Sequence, residues 1–164
     1  MDPKPVHQLD TPNLSLVTPN RKEAFELAGF RDHGRDMNPL QDIALLKVAD
    51  ILLQRMHPSY LLITLGRWGM LLCEAEKEPL HIPTVAQEVY DVSGAGDTVI
   101  ATFTLALCTG ALPIEAAIIA NYAAGIVVGK IGAATVTPDD LLKSFKKRQS
   151  IQVETGCEQL IHHV

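Results

Sequence analysis

The sequence predicts an α/β fold in which a mostly parallel sheet is flanked by helices. Three observations carry that expectation. Short apolar runs at 14–17, 60–64 and 70–73 read as strands. Segments with apolar residues at helical spacing alternate with them, and helices dominate after residue 97. The 164 residues are 47% apolar and 20% charged, which suits one compact core and argues against disorder.

Residues 1–13 carry three prolines without periodicity and read as a loop. Leu14 to Val17 is a short buried strand, ended by Thr18-Pro19-Asn20. A helix follows from Arg21 to Ala28, and Gly29 stops it. Asn38-Pro39 is a helix start, with Leu40, Ile43, Leu46, Ala49 and Leu53 at helical spacing behind it. Tyr60 to Thr64 and Met70 to Cys73 are strands joined by Gly66-Arg67-Trp68-Gly69, with Trp68 expected as a partly exposed turn residue. His81 to Thr84 reads as an edge strand, and Val89-Tyr90 as a short strand before a glycine-rich loop. Further helices are expected at 97–109, 114–129 and 138–147. Asp139 and Asp140 at the start of the last helix, and Lys146-Lys147-Arg148 at its end, suit its dipole.

The composition also excludes. A net charge of −5 leaves no electrostatic footprint for nucleic acid. Cys73, Cys108 and Cys157 have no paired spacing; the first two lie in apolar runs and read as small buried residues. The histidines show no ligand spacing. The start of the chain lacks the apolar segment of a signal peptide. The apolar stretch 116–136 is broken by Asn121, Lys130 and glycines at 125, 129 and 132, so no membrane span is expected. A cytoplasmic location follows as the expectation. Residues 1–149 are read as one domain and 150–164 as a tail without an assigned role.

Chemistry concentrates in Asp91-Val92-Ser93-Gly94-Ala95-Gly96-Asp97-Thr98. Small residues at 93–96 let backbone approach a ligand closely. They open a helix whose first amides lack intrahelical partners, which makes an anion site. Asp97 sets a carboxylate beside it, able to accept a proton from an attacking hydroxyl. A glycine turn capped by Asp97 explains the same spacing, so both readings stay open. A dinucleotide fingerprint fails because Val99 replaces its third glycine, and no Gly-Lys-Ser/Thr follows for a Walker loop.

Asp91-Val-Ser-Gly-Ala-Gly-Asp97 resembles the C-terminal signature of the PfkB/ribokinase carbohydrate kinases, Asp-Thr-x-Gly-Ala-Gly-Asp, with Val92 departing from the commoner Thr. Asp2-Pro3-Lys4, Thr18-Pro-Asn20-x-x-Glu23, Thr64-Leu-Gly66-x-x-Gly69 and the stretch Asn121 to Gly132 resemble further family segments in the same order. Within the family, Thr-Pro-Asn-Arg-Lys-Glu-Ala and Tyr-Asp-Val-Ser-Gly-Ala-Gly-Asp-Thr-Val-Ile-Ala are most similar to the D-glycero-β-D-manno-heptose 7-phosphate kinases.

The resemblance implies a ribokinase-like fold of which this chain is the C-terminal, ATP-binding half. It implies Asp97 as catalytic base and the amides of Gly94, Ala95, Gly96 and Asp97 as the phosphoryl cradle. Asn20 and Glu23 would order water around Mg²⁺, although a helix capping box explains their spacing equally. Thr64, Gly66 and Gly69 would contact nucleotide, against a plain hairpin turn. Asn121 would face adenine, against a satisfied core amide. Asp91 and Ser93, with carbonyls near Gly132-Ala133, would hold K⁺. The partners implied are ATP and a sugar phosphate.

Members of the family are longer and carry most sugar contacts in an N-terminal half. The expectation is therefore a truncated or split kinase, inactive alone, exposing apolar surface near 14–17 and forming a homo-oligomer. Another sugar or nucleoside as substrate, or a silent nucleotide-binding or assembly module, are the alternatives.

Overall fold

The computed structural model describes residues 14–34, 37–85, 91–92, 94–130, 132 and 134–147. Strands β1 (Leu16–Val17), β2 (Tyr60–Thr64), β3 (Met70–Cys73) and β4 (Leu80–Ile82) form a sheet in that order. Helices α1 (Arg21–Ala28) and α2 (Ile43–Met56) cover one face; α3 (Ala95–Cys108) and α4 (Pro113–Val128) cover the other. A fifth helix, α5, spans 138–147. Side chains alternate along the strands to feed both layers. Val17, Leu61, Ile63 and Leu71 pack with Phe25, Leu45, Val48 and Leu52 on the first face. Leu16, Leu62, Met70 and Leu72 pack with Val99, Phe103, Ala116 and Ala120 on the second. Burial on both faces explains why β2 and β3 read as unbroken apolar runs.

The α/β class holds, but the sheet is mixed rather than mostly parallel among the described residues. β1 pairs β2 in parallel, with α1 and α2 making the crossover. β2–β3 and β3–β4 are antiparallel. The reason is connection length: the turns at 65–69 and 74–79 are too short for a crossover, so each reverses the chain.

Other elements shift by a few residues. β1 is shorter than 14–17, β4 runs 80–82 rather than 81–84, and α3 starts at Ala95. Asn38 does cap a helical turn, accepting from the Leu40 amide at 3.0 Å, but that turn is the 3₁₀ segment Pro39–Gln41. The cap of α2 is Asp42, whose Oδ1 accepts from the amides of Ala44 and Leu45, both at 3.1 Å. The core face of α2 is Leu45, Val48, Ala49 and Leu52, while Leu40 and Ile43 are exposed. With apolar side chains at most positions of 43–53, more than one stripe fits the spacing.

Cys73 is buried, as expected, and burial pushes its thiol up to about 12. Cys108 is exposed, contrary to its apolar setting. It lies at the end of α3 on the face turned away from the sheet. Trp68 is half-buried in its turn, as expected. No helix among the described residues is long and apolar enough to cross a membrane. The expected strand at Val89-Tyr90 and the tail 150–164 lie outside the described residues.

Candidate active site

Strand ends and one helix start create the site. β1 and β2 run parallel, and their C-terminal ends are joined where the Thr64 amide donates to the Pro19 carbonyl at 3.0 Å. Ligands in α/β folds bind beyond such ends. Asn20 and Thr64 stand side by side there. Asn20 Oδ1 accepts from the Glu23 amide and Glu23 Oε2 accepts from the Asn20 amide, each at 2.9 Å. The capping box that the spacing allowed is therefore formed, and both residues still line the cleft.

Arg21, between them, was not singled out by sequence reasoning. Its Nε and Nη2 donate to both oxygens of Asp32 at 2.8 and 2.9 Å, and Nη2 also donates to Asp42 at 2.8 Å. The hydrogen bond from Arg21 holds the Asp32 carboxyl below the usual carboxylate range. Asp42 is 1% exposed and caps α2, so this cluster ties the start of α1 to the start of α2. Partners 11 and 21 residues away leave no local signal.

The turn after β2 is fixed by backbone fit. Gly69 has φ 85° and ψ −121°, which strongly disfavours residues with a Cβ. A Cβ there would overlap the Ile82 carbonyl oxygen and sit 2.5 Å from the Thr84 amide nitrogen. Gly69 thus serves close approach to the strand exit at 82–84. His81 Nε2–H donates to the Trp68 carbonyl, and Asn121 Nδ2 donates to the Pro83 carbonyl at 2.6 Å. Asn121 is buried, so part of its amide is a satisfied core group. It also lines the cleft.

α3 begins at Gly94, in the left-handed region at φ 76°, with no side-chain cap. The Ala95 amide donates to the Val92 carbonyl at 3.2 Å, and intrahelical bonding starts with Thr98 to Gly94 at 3.0 Å. The amides of Gly96 and Asp97 belong to the first turn of α3, at the positive end of the helix dipole. Asp97 is exposed at this end.

A cleft of about 820 Å³ brings these parts together. Its lining includes Asn20, Glu23, Thr64, Gly66, Gly69, Gly94, Ala95, Gly96, Asp97 and Asn121. Arg21, Lys22 and Arg67 add positive charge, and Val99, Ala124 and Val128 an apolar wall. That volume and mix suit a ligand of nucleotide size. Asp91 is not part of this lining; its amide donates to the carbonyl of Val128, which is, at 3.3 Å. Ser93 and Ala133 lie outside the described residues. Among the described residues no group of three His, Cys, Asp or Glu side chains could hold a metal by itself.

The pfkB family carbohydrate kinase model matches residues 2–140, which contain every residue of this cleft. The chain belongs to the pfkB family of carbohydrate kinases. Its fold agrees: it is similar to the ribokinase of Thermotoga maritima, with TM-score 0.68 and 27% identity over 81% of this chain and 42% of that one. Phosphofructokinase-2 from Escherichia coli, solved in complex with potassium, gives TM-score 0.70 at 22% identity over 83% of this chain and 41% of that one. Among curated proteins, the bifunctional protein HldE of Pelobacter propionicus is 40% identical over 88% of this chain and 28% of its own length. HldE of Nitrosococcus oceani is 40% identical over 100% of this chain and 33% of its own length. The pfkB chain described here thus spans about a third of these relatives or less.

Proposed function

We propose that this chain is the nucleotide-binding and catalytic part of a kinase that transfers the γ-phosphoryl group of ATP to a heptose 7-phosphate, at its anomeric hydroxyl. The observation that carries the proposal is the single cleft lined by residues from four separated family segments. The heptose assignment rests on the wording around Asp97 and on 40% identity to HldE proteins.

In this reading adenine lies against the apolar wall near Asn121 and Val128, and the phosphates run between the Gly66–Gly69 turn and the start of α3. The amides of Gly96 and Asp97 meet the transferring phosphoryl group, where donors aimed at developing charge act most strongly. Asp97 accepts the proton of the sugar hydroxyl as its oxygen bonds to the γ-phosphorus. The bond from that phosphorus to the bridging oxygen breaks, and its electron pair leaves with ADP. Phosphoryl transfer asks mainly for this positioning. Asn20 and Glu23 line the cleft side by side, which fits their ordering water around Mg²⁺. Such an ion would neutralise charge on the phosphates. Asp91 and Ser93 remain the proposed monovalent-cation residues.

The test uses a fusion. The segment preceding the matched region in the Pelobacter propionicus HldE is joined ahead of this chain. ADP release is then followed with heptose 7-phosphate, fructose 6-phosphate or ribose as acceptor. Turnover should be fastest with heptose 7-phosphate; a preference for ribose, or no ATP use with any acceptor, contradicts the proposal. The 164-residue chain alone should bind ATP with Mg²⁺ in calorimetry but transfer no phosphate, because acceptor positioning supplies much of the rate.

A further inference from the structure

The turn between β2 and β3 forms one wall of the cleft. Leu65, Gly66, Arg67 and Gly69 line it, while Trp68 does not. The backbone of this turn bonds largely to itself. The Trp68 amide donates to the Leu65 carbonyl at 3.2 Å, and the Gly69 amide to the Gly66 carbonyl at 2.9 Å. The Leu65 amide donates to the Gly69 carbonyl at 2.8 Å. None of these three bonds uses the Trp68 carbonyl.

His81 takes it instead. The pairing of β4 with β3 sets His81 opposite Leu71, on the edge strand of the sheet. Its neighbour Ile82 faces the second layer, so His81 faces the first. From there its Nε2 lies 2.5 Å from the Trp68 carbonyl oxygen. A carbonyl only accepts, so Nε2 carries the hydrogen. This is the one side-chain hydrogen bond of His81 among the described residues. Packing alone asks for an apolar residue at such a half-buried strand position. The ring nitrogen adds this bond.

Two further contacts converge on the same strand exit. Gly69 fits against residues 82–84 with no room for a Cβ. From the other side, Asn121 donates to the Pro83 carbonyl. Residues 81–84 therefore stand between the 66–69 turn and α4, which supplies the apolar wall of the cleft. Trp68 packs against the core of the first layer, and the Arg67 guanidinium lies 5.9 Å from its ring centroid. Fixing Trp68 thus also fixes Arg67, a cation on the cleft wall.

We propose that His81 is a positioning residue for the nucleotide. By holding the Trp68 carbonyl it sets the 66–69 turn, with Arg67, at a fixed distance from the wall that carries Asn121. The nucleotide clause rests on the kinase reading; the clause about the turn does not.

Trp68 is the sole tryptophan of the chain, so its fluorescence reports on the turn without a label. The test compares His81→Leu and His81→Gln in this 164-residue chain. Gln carries an amide nitrogen about as far from the backbone as Nε2 and can donate in its place; Leu cannot. Without nucleotide, His81→Leu should shift Trp68 emission to the red as the loosened turn admits water, and His81→Gln should not. With Mg²⁺ present, His81→Leu should weaken ATP binding roughly 5-fold, the net worth of about one hydrogen bond. His81→Gln should restore it. If the Leu variant does not fold, His81→Asn, whose amide stops short of the carbonyl, takes its place. A lower melting temperature with ATP affinity and Trp68 emission unchanged overturns the proposal, because His81 would then serve the hairpin alone. So does a Gln variant that behaves like Leu, because the donor would not matter. An emission shift rescued by Gln in a chain that binds no ATP supports the hold on the turn and sinks the kinase reading.

Discussion

Helices α1 and α2 close their starts with side chains and turn charge outward, whereas α3, on the opposite face of the sheet, has no side-chain cap and turns no charge outward beyond Asp97. Asn20 and Asp42 each satisfy amides at a helix start, and Arg21 joins Asp42 to Asp32. Arg55 donates to the Leu27 carbonyl at 2.7 Å and ties the other ends of these two helices. α3 starts on a glycine with no side-chain cap and shows an apolar outer stripe. The difference teaches where stability and chemistry reside. A side chain that caps a helix occupies the amides a phosphate would need. The first layer is a finished support. The second starts its helix without a side-chain cap and leaves an apolar stripe exposed.

The comparison is sharpened first at the turn between the layers. Gly69→Ala should cost the most, roughly 3 kcal/mol or more, because a strained φ adds to overlap with Ile82 and Thr84. Chemical denaturation would show it, and an unchanged midpoint would mean that the turn is pliable. Asn121→Leu should cost about 1–3 kcal/mol by removing the hydrogen bond that the buried Asn121 amide donates to the Pro83 carbonyl and by forcing a branched side chain into its packed place. Thermal melts should place this loss above that of Asn20→Ala, which removes a cap worth about 1 kcal/mol. If Asn20→Ala instead left stability unchanged but weakened ATP binding, the first layer would be part of the site rather than its support.

The smallest effect is acid dependence. The hydrogen bond from Arg21 holds Asp32 below its ordinary range, so the unfolded chain takes up the proton first. The stabilisation is full above the ordinary carboxylate pKa near ~4 and is lost as pH falls through the lowered value. Asp32→Asn should therefore lower Tm at pH 7 by the equivalent of about 1 kcal/mol or less, with the gap closing below about pH 4. A gap that widens in acid would reverse the assignment.

Much of the site was legible in the sequence because its signals are local. The small-residue run at 93–96, the Asn20–Glu23 spacing and the glycines of the 66–69 turn each state a backbone requirement within a few residues. What failed was long-range or degenerate. Asp42 looked like any loop aspartate until Arg21 reached it from 21 residues away. Apolar residues crowd α2 so closely that spacing alone could not choose its buried face. The exposure of Cys108 depends on which face of the almost wholly apolar α3 meets the sheet, which the local sequence does not state. The sheet looked mostly parallel because strand and helix signals alternate, yet short turns at 65–69 and 74–79 decided the direction of β3 and β4.

The central claim is that Asp97 acts as a base at the start of α3 rather than only complementing the helix dipole. The direct measurement is turnover and ATP affinity of Asp97→Asn in the fusion described above. Asn keeps the size, and Asp97 is an exposed first-turn residue that caps nothing, so folding should survive. It cannot take the hydroxyl proton, so kcat should fall by ~10²–10⁴. Removing a negative charge beside the γ-phosphate should leave ATP affinity equal or slightly tighter. Near-normal turnover in the Asn variant would contradict the account, leaving Asp97 as a first-turn carboxylate that only suits the helix dipole and the cleft without its base.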